Sequence, residues 1–409
     1  MTRISEKIKV LYISYDGAGD NLGQSQIIPY LIGLTKEGMS FVFITFEKKE
    51  TLDNKELLSL LGHKLKINNI DWSYLKFRKT RLSFLKLYDL ILGVLVCIRK
   101  IKKEKVKIIH GRSFIGSVIA LFLKKIFKVK VILDIRGFWP EERVEAGLWN
   151  KYGLLYKITK YIERALILNA DEIVILTKNA KKEIKGFGYL RNREININVI
   201  PTCVDIDGFC FQRKIDDDIL NDLRLRNKFI ISYVGSVSTW YMPFEMFRFF
   251  EIAQRMIDAC HLMIMTKEDK FLRNVLQNIG SNVSIINVMH SIVPQYLSIS
   301  KVGIAFYKPG YSRKACCPTK FGEYLACGIP IIINAGIGDC DEIILKEKVG
   351  VVIKDFSSQE YERATKELMN LFSEEYQLRQ RCMAVAKQYL SLEMGVGRYR
   401  QIYERLKGI

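Results

Sequence analysis

Apolar segments typical of buried strands alternate with helical segments along this chain, and the alternation begins again near residue 229. Parallel strands need long crossover connections, which helices usually supply, so the alternation predicts doubly wound α/β sheets. The second series opens with the strand Phe229 to Val234 and a glycine turn. We therefore predict two Rossmann-like domains, at 1–204 and 205–390, followed by a separate amphipathic helix at 391–409. The polar stretch 212–227 is the expected boundary region.

The positions of the individual elements follow from the length and spacing of the apolar residues. Strands are predicted at 7–14, 41–46, 106–110, 130–135, 172–176, 197–200, 229–234, 262–265, 283–288, 302–306, 329–334 and 349–353. Helices are predicted at 26–38, 82–105, 117–127, 154–169, 179–186, 244–258 and 360–390. The strands are short and largely apolar, as parallel strands covered by helices on both faces are.

Length and composition are those of a folded protein. The chain has 409 residues, of which 49% are hydrophobic and 26% charged, which is typical of globular proteins rather than disordered ones. The charged N-terminal residues lead straight into a predicted strand, unlike a signal peptide. The longest nearly apolar run, Leu90 to Ile98, is too short to span a bilayer. Nine cysteines without a CxxC pair indicate reduced thiols, so we expect a cytoplasmic protein.

The net charge of +20 is concentrated in one segment. Between Lys64 and Lys107 there are thirteen Lys and Arg residues against three acids, and aromatic residues such as Trp72 and Tyr74 lie among them. Basic residues mixed with aromatic ones favour an anionic membrane surface. We expect peripheral association with the cytoplasmic face of the membrane, with a solvated basic face as the alternative. We expect no nucleic-acid partner, because no nucleic-acid-binding motif accompanies the charge.

The segment from Tyr311 to Glu342 carries the strongest functional signal, because it reads as a loop, a short helix, a buried strand and a glycine-rich turn. Pro318 suits the start of the helix and Gly328 its end. The first turn offers free backbone N–H groups to an anion, and Lys320 lies in that turn. Glu323 follows one turn later, and a carboxylate suits sugar hydroxyls. This combination predicts a site for a nucleotide-sugar.

Ligands of open α/β sheets bind outside the carboxyl ends of the strands, which selects four further loops. The first is the glycine-rich loop 16–26, which lacks the GxGxxG fingerprint because Leu22 stands at its last glycine position. The second holds His110 and Arg112, and the third is the charged loop 134–143. The fourth is 235–241, which begins with Gly235 and Ser236. In the third loop, either Arg136 binds phosphate, or Asp134, Glu141 or Glu142 handles an acceptor hydroxyl.

No metal or other cofactor is expected. Asp205 and Asp207 form a DxD pair, which chelates a metal in other nucleotide-sugar enzymes, but here the pair lies in the predicted interdomain stretch and is better explained by structure. The cysteines and the four histidines show no zinc spacing. A nucleoside-diphosphate sugar is therefore expected as substrate, with positively charged side chains in place of a metal.

Five segments, in this order, resemble the retaining glycosyltransferases of family 4, whose fold is GT-B. These are DGAGDNLGQSQ at 16–26, VIPTCVDIDGF at 199–209, ISYVGS at 231–236, PTKFGEYLACGIPII at 318–332 and RYRQIYERL at 398–406. The resemblance covers nearly the whole chain. It implies two Rossmann-like domains facing a cleft, with the donor nucleotide-sugar held by the C-terminal domain and the acceptor by the N-terminal domain. It also implies that the last helix crosses back to the N-terminal domain.

The resemblance assigns some residues and leaves others open. Glu323 matches the second glutamate of the family's Glu-seven residues-Glu motif, which binds the ribose, whereas the first glutamate is replaced by Ala315. Ser236 stands where the family has an arginine, and the lysine that follows is missing. Other cations must then neutralise the diphosphate, and the candidates are Arg136, Arg313, Lys314 and Lys320. The expected catalytic residues are Arg136, Lys320, Asp134 and His110. The expected donor-binding residues are Gly23, Gly235, Ser236, Thr266, Arg313, Thr319, Lys320 and Glu323.

The sequence therefore predicts a peripheral membrane glycosyltransferase of cell-surface polysaccharide synthesis. It would move a sugar from a nucleoside-diphosphate sugar to a hydroxyl of a lipid-linked or polysaccharide acceptor, and retention follows from the resemblance alone. One alternative is a GT-B-fold nucleotide-sugar epimerase, for which His110, Asp134 and Glu141 would supply acids and bases. The other is a non-catalytic nucleotide-sugar-binding scaffold, which Ala315 and the missing Arg/Lys pair would suit.

Overall fold

This computed structural model describes residues 8–78, 83–209, 220–221, 223, 225–275 and 280–408. The described chain divides into two compact units. The N-terminal unit runs to Pro201 and also includes the residues from Leu392 onward, and the C-terminal unit is Thr202–Ser391. Most of the predicted boundary stretch 212–227 lies outside the described residues, as do Lys79 and Arg81 of the basic segment.

The N-terminal unit is built on a parallel sheet with the strand order β3-β2-β1-β4-β5-β6-β7. Its strands are β1 Ile8–Ser14, β2 Met39–Glu47, β3 Ile70–Lys76, β4 Ile108–Arg112, β5 Lys130–Ile135, β6 Glu172–Ile175 and β7 Ile197–Val199. Val10 of β1 pairs with Phe41 on one side and with Ile108 on the other. The order of the strands reverses between β1 and β4, which places the ligand-binding edge of such a sheet at their carboxyl ends.

Helices cover this sheet and form its crossover connections. They are α1 Asn21–Gln26, α2 Ile28–Lys36, α3 Lys49–Asp53, α4 Lys55–Ile67, α5 Ser83–Glu104, α6 Ser113–Ile126, α7 Trp139–Glu145, α8 Leu154–Asn169 and α9 Lys178–Lys185. The central strands are fully buried, with Leu11 and Ile13 of β1 inaccessible to solvent, and their apolar side chains form the core of the unit. Burial of this kind is the main term that stabilises such a sheet.

The C-terminal unit has a second parallel sheet with the order β10-β9-β8-β11-β12-β13, which reverses between β8 and β11. Its strands are β8 Phe229–Val234, β9 Cys260–Met265, β10 Val283–Ile286, β11 Val302–Ala305, β12 Ile331–Asn334 and β13 Gly350–Ile353. Its helices are α10 Pro243–Met256, α11 Asp269–Val275, α12 Val293–Ser298, α13 Thr319–Ala326, α14 Cys340–Glu347, α15 Ser358–Leu371 and α16 Glu375–Leu390.

The last helix, α17 Leu392–Lys407, belongs to the N-terminal unit and packs on α2 and β1. Its apolar stripe, which includes Val396, Tyr399 and Tyr403, is buried. Gly33 of α2 leaves room for this contact, since a Cβ there would lie 2.6 Å from a methyl carbon of Val396. The separate amphipathic helix predicted at the end of the chain thus packs on the N-terminal unit by its apolar stripe, while its polar side is exposed.

The predicted strands correspond well to those of the structure, and 130–135 and 229–234 agree at both ends. The sequence did not predict α4, which ends at the start of the basic segment 64–107, or β3, which lies within that segment. The charged segment 134–143 is also not one loop, because β5 continues to Ile135 and α7 begins at Trp139 with Pro140 in its first turn. A proline there fits a helix start, because its missing N–H would have no partner in any case.

Candidate functional site

The loops that follow β8, β9 and β11 meet the start of α13 at the point where the strand order of the second sheet reverses. Lys320 of α13 lies beside Gly235, and a Cβ at Gly235 would be 3.3 Å from Lys320 Nζ. Gly235 also has a φ of +119°, which side-chain-bearing residues rarely adopt. The glycine therefore lets the backbone after β8 come close to the lysine, at the usual ligand position of an open sheet.

Lys320 is buried in a cage of three tyrosine rings. Its Nζ lies 4.0 Å from the ring centre of Tyr241, 4.1 Å from that of Tyr233 and 5.8 Å from that of Tyr307. It also donates a hydrogen bond of 3.0 Å to the Tyr233 hydroxyl. Aromatic faces attract a cation through their negative quadrupole, so the cage tolerates an ammonium without pairing it tightly to a carboxylate.

Burial lowers the pKa of the Lys320 ammonium to about 7, and the negative charge of Glu323 only partly offsets this effect. The lysine is therefore only partly protonated near pH 7, because the tyrosine cage and the charge of Glu323 do not offset the cost of burying its ammonium. An anion bound beside Lys320 would supply the missing stabilisation, because Coulomb attraction is strong where water is excluded.

Ser236 and Thr266, two predicted donor-binding residues, are joined through Glu268. Ser236 Oγ donates to the Glu268 carboxylate at 2.5 Å, and the Val237 N–H donates to it at 3.2 Å. Thr266 is buried at the end of β9, and its Oγ1 accepts from the Glu268 N–H at 3.1 Å. The loop after β8 is thus tied to the end of β9, which fixes the backbone beside Gly235.

The other predicted cations lie in the 3-10 turn Tyr311–Ala315 just before α13. Arg313 is buried, and its guanidinium stacks 4.5 Å from the ring centre of Trp240, next to the cage residue Tyr241. Lys314 is half-buried and lies over the Tyr311 ring instead. Ala315, which replaces the family's first motif glutamate, is buried. Among the described residues, Arg313 and Lys320 are therefore the two buried cations on this edge of the sheet.

Glu323 is buried one turn along α13 from Lys320, and Thr319 is half-buried at the helix start. The Glu323 carboxylate accepts a hydrogen bond of 3.0 Å from His290 Nε2, whose side chain is half exposed. That hydrogen bond raises the pKa of His290 despite its partial burial. A buried carboxylate with an exposed, displaceable partner is suited to bind hydroxyl groups of a ligand.

In the N-terminal unit, the glycine-rich loop after β1 is held by a carboxylate of the protein. Glu47, buried at the end of β2, accepts from the Ala18 N–H at 2.6 Å and from the Gly19 N–H at 3.1 Å. Gly23 lies in α1, where a Cβ would be 2.0 Å from the Gly17 carbonyl oxygen. The described neighbours of these glycines are therefore their own loop, the end of β2 with Glu47, and Thr51.

His110 and Asp134 are brought together inside the N-terminal unit and are almost completely buried. The carboxylate of Asp134 can only accept, so His110 Nε2 donates to it at 3.3 Å, and His110 Nδ1 accepts from the Tyr403 hydroxyl at 2.6 Å. Tyr399 also donates to Asp134, at 3.1 Å. Two residues of α17 thus complete the network, and neither His110 nor Asp134 is exposed to solvent.

Arginine side chains surround the same carboxylate. Arg112 Nη1 lies 3.6 Å from one oxygen of Asp134, and Arg136 Nη1 lies 3.5 Å from the other. Burial alone would raise the pKa of Asp134, but Arg136, His110 and Arg112 outweigh it and hold this pKa well below its usual range. Burial lowers the pKa of His110, although the hydrogen bond to Asp134 opposes this. The carboxylate is therefore ionised and the imidazole neutral near pH 7.

A cavity of about 110 Å³ lies at the carboxyl ends of β4 and β5 in the N-terminal unit. Its walls are mostly apolar, and Phe114 and Trp139 stack on one another with ring centres 4.7 Å apart. Arg136 lines the cavity, and its buried Nη1 makes no hydrogen bond with the described residues. Ser113 and Glu142 add a hydroxyl and a carboxylate. The cavity combines an aromatic platform with a few polar groups, as small-molecule sites do.

Neither a metal cluster nor a membrane-spanning helix is found in the part of the chain that the structure describes. No group of three or more His, Cys, Asp or Glu side chains there could hold a metal ion, which includes the neighbourhood of Asp205 and Asp207. Within the same residues, every helix is too short or too polar to cross a bilayer.

Sequence reasoning missed the tyrosine cage, Trp240, Glu268, His290 and the tyrosines of α17. No local pattern marks them, because they come from separate strands and loops that only the fold brings together. The one usable signal is the aromatic content of the loop 235–241, a loop that the sequence selects as a ligand loop but does not link to Lys320.

Two family profiles match separate parts of the sequence. Residues 31–207 match Glycosyltransferase Family 4, and residues 299–391 match the C-terminal domain of Glucosyltransferase 3-like proteins. No curated protein matches the sequence. The first match lies in the N-terminal unit, and the second contains Lys320, Glu323 and Arg313, so both regions of interest fall within a recognised family region.

Solved structures share the fold over nearly the whole chain. A glycosyltransferase from Rickettsia africae superposes with a TM-score of 0.70 at 14% identity, covering 98% of this chain and 99% of its own. Alr3699/HepE from Anabaena, in complex with UDP and glucose, gives 0.70 at 13%, with 98% and 100% coverage. WaaG, a glycosyltransferase involved in lipopolysaccharide biosynthesis, gives 0.66 at 11%, with 96% and 99% coverage. Residues 31–207 of this chain therefore match glycosyltransferase family 4, and the two-sheet α/β fold is the GT-B fold of the glycosyltransferases that it resembles.

Proposed function

We propose that this protein transfers a sugar, with retention, from a nucleoside-diphosphate sugar to a hydroxyl of a lipid-linked or polysaccharide acceptor in cell-surface polysaccharide synthesis. The observation that carries the proposal is Lys320, a buried ammonium in a tyrosine cage beside Gly235 at the strand reversal of the second sheet. A desolvated cation without a close carboxylate partner among the described residues, at the usual ligand edge of a Rossmann-like sheet, fits a diphosphate.

The cations of this site account for the family residues that the sequence lacks. The loop after β8 has Ser236 in place of the family's arginine, but Lys320 reaches the same loop from α13. Arg313 adds a second buried charge on the neighbouring Trp240. The barrier to transfer lies in the departure of the diphosphate from an oxocarbenium-like sugar. Preorganised cations and helix N–H groups stabilise the developing charge, so no metal is needed in this proposal.

Uridine is our first choice of nucleoside, because Alr3699/HepE shares the fold and was crystallised with UDP-glucose. The test is thermal unfolding of the purified protein with a panel of UDP-, GDP-, ADP- and CMP-sugars. A ligand that binds only the folded state raises the melting temperature. We expect a rise with one nucleoside class, and turnover of that donor would separate an enzyme from a scaffold. An unchanged melting temperature across the whole panel would contradict the proposal.

Glu323 is proposed to bind the ribose hydroxyls of the donor. Replacement of Glu323 by alanine should weaken nucleotide binding by about 1–3 kcal/mol, because a buried charged hydrogen bond is lost. Titration calorimetry of the Glu323→Ala variant measures this change. Glu347, a partly exposed carboxylate of the same unit that pairs with Lys346 and Tyr389, is the control, and Glu347→Ala should bind nucleotide as the wild type does.

His290→Ala separates ribose binding from a structural role of Glu323. If Glu323 only anchors His290, the two alanine variants should have equal effects, since each breaks the same hydrogen bond. If Glu323 binds the ribose, His290→Ala should have much the smaller effect. Equal losses of affinity would therefore remove Glu323 from the proposed donor site.

Donor binding should depend on pH through Lys320. The ammonium form binds the diphosphate, and its pKa of about 7 in the free protein means that the charge is lost as the pH rises above 7. The affinity for a UDP-sugar should then fall by up to about tenfold per pH unit, because one proton must be taken up for binding. The Lys320→Arg variant stays charged, so any binding that it retains should not change between pH 6 and 9. An equally flat profile of the wild type would contradict this role.

The acceptor is proposed to bind in the cavity of the N-terminal unit. Its aromatic walls suit the apolar face of a sugar or a lipid portion. Arg136 Nη1 is 3.5 Å from Asp134 but makes no hydrogen bond with the described residues, so it could donate to a hydroxyl or phosphate oxygen. We propose that Arg136 acts on the acceptor side. His110 and Asp134 would then act as positioning residues, because they are buried around Arg136 and Arg112.

Peripheral association with the cytoplasmic face of the membrane is part of the proposal. It is supported by the charge of the segment 64–107 and by a lipid-linked acceptor, which would be presented at a bilayer. In the structure this segment falls on the end of α4, on β3 and on α5, and the described lysines of α5 are mostly at its surface. Anionic lipids attract such segments by about 1 kcal/mol for each basic residue near the surface.

A further inference from the structure

Besides the basic segment 64–107, the N-terminal unit has a surface on which large apolar side chains are exposed close together in the sequence. Six of them, between residues 148 and 161, are 47–80% exposed. They are Leu148, Tyr152, Leu154, Leu155, Ile158 and Tyr161. Single exposed apolar residues are normal on soluble proteins, but contiguous apolar patches mark interaction sites. We call this set and the lysines among it the α8 face.

The α8 face is one side of a two-sided helix. Leu154, Leu155, Ile158 and Tyr161 recur at helical spacing and share one side of α8. The opposite side carries the buried Thr159, Leu166 and Ile167, and the last two line the cavity proposed for the acceptor. The core contacts of α8 are therefore complete without the exposed side, which is left for another partner.

Neighbouring helices extend the apolar surface. Helix α6 contacts both α5 and α8, so the three helices form one layer on the sheet. The exposed apolar residues of this layer outside α8 are Tyr88, Ile91 and Leu95 of α5 and Phe122 and Ile126 of α6. The α8 face is thus continuous, through α6, with the helix that carries the basic residues of the segment 64–107.

The charges on the α8 face are of one sign. Residues 146–169 contain four basic residues, Lys151, Lys157, Lys160 and Arg164, and a single acid, Glu163. The carboxylate of Glu163 is mostly buried and is paired with Lys160, which also pairs with Glu141. The exposed positive charges are therefore those of Lys151, Lys157 and Arg164. The face thus combines aliphatic and tyrosine side chains with lysines and has no exposed acid among its described residues. Such a surface suits an anionic bilayer, because the apolar side chains can enter the acyl boundary while the lysines contact lipid phosphates.

We propose that the α8 face, continued by the exposed sides of α6 and α5, is a membrane-docking surface for anionic lipid. The inference rests on the proposed function only in that a lipid-linked acceptor would be presented at the same bilayer. Docking would bring the acceptor cavity, which the inner side of α8 lines, to the surface of the membrane. The charge-rich segment 64–107 then contributes to binding, while the α8 face provides the apolar insertion.

The test is sedimentation of the full chain with vesicles of neutral phosphatidylcholine, with and without anionic phosphatidylglycerol. The wild type should bind the anionic vesicles and not the neutral ones. The double variant Leu155→Glu/Ile158→Glu should reduce the bound fraction at least tenfold, because both side chains would have to carry charge into the interface. Tyr376→Glu is the control, since Tyr376 is exposed on α16 of the other unit. It should bind vesicles as the wild type does.

Other outcomes would overturn the proposal. Unchanged vesicle binding of the double variant would show that the α8 face does not dock. If the wild type does not bind vesicles but forms a dimer that the double variant cannot form, the face is an interface with a second copy of the chain and not a docking surface. Each variant is also unfolded thermally with and without UDP-glucose. If the double variant loses vesicle binding but UDP-glucose still raises its melting temperature, the docking surface is supported. If UDP-glucose does not raise the melting temperature of the wild type, only the proposed function is contradicted.

Discussion

Replacement of Lys320 by methionine should abolish most of the transferase activity without destabilising the protein. Loss of a preorganised charge at the departing diphosphate typically lowers kcat by about 10²–10³-fold. Methionine fills a similar volume, and the tyrosine rings around Nζ accept a thioether as readily as an ammonium. Because a buried charge is removed rather than left unpaired, urea unfolding should show equal or greater stability.

This combination distinguishes a functional lysine from a structural one. An exposed lysine of the same unit, Lys346, provides the control, and Lys346→Met should keep full activity. Steady-state turnover of the UDP-sugar found in the ligand panel measures the first effect, and urea denaturation the second. Activity within threefold of the wild type, or a loss of about 2 kcal/mol or more in stability, would contradict the role of Lys320.

The largest effect on stability is expected at Asp134. In Asp134→Ala, Arg136 and Arg112 lose their buried counter-charge, and His110 and Tyr399 lose a hydrogen-bond acceptor. Removal of one partner from a buried ion pair typically costs about 3–5 kcal/mol. The matched control is Glu37→Ala, which breaks the exposed ion pair with Arg400 and should cost about 0–1 kcal/mol.

The two units can be followed separately, which matters because proteins with two domains seldom unfold in one step. Three of the four tryptophans belong to the N-terminal unit, and Trp240 is the one in the C-terminal unit. In a Trp240→Phe background, tryptophan fluorescence reports the N-terminal unit alone. If Asp134→Ala shifts that transition by no more than Glu37→Ala does, the network does not stabilise the unit.

The same network should make the N-terminal unit labile in acid. The pKa of His110 is lowered in the folded protein, so the unfolded chain takes up the proton first and stability begins to fall below pH 6.5. The pKa of Asp134 is also lowered, so its contribution is complete above pH 3.8 and is lost as the pH falls further. Urea unfolding of the wild type between pH 7 and 3 measures the decline, and in Asp134→Ala the part below pH 3.8 should be smaller.

Much of the fold follows from the sequence because the central strands are long apolar runs. The strands at 130–135 and 229–234 are bounded by charged or glycine residues, which mark where each buried apolar run begins and ends. The edge strand β3 was missed for the opposite reason. It lies at the border of the sheet and only Ile70 is fully buried. It therefore lacks the apolar run of the central strands, and its polar and aromatic residues resemble a surface segment.

The candidate site could be predicted only where one helix carries it. Lys320 and Glu323 share α13, so their spacing alone places them together, whereas the tyrosines that shape the environment of Lys320 come from three different parts of the chain. Asp134 shows the same limit. Its sequence neighbours indicate a charged loop at a strand end, but its environment is set by Tyr399, which lies 265 residues later. Periodicity carries no information about such distant partners.

The position of α17 in the N-terminal unit has a consequence for biosynthesis. The ribosome must translate the whole of Thr202–Ser391 before Tyr399 and Tyr403 are available to hydrogen-bond Asp134 and His110. At about 5–20 residues per second, that interval lasts roughly 10–40 seconds. During this time the first domain is an incomplete nascent chain with exposed apolar and charged interior surface. We therefore expect the N-terminal unit to complete its folding only after α17 has been synthesised.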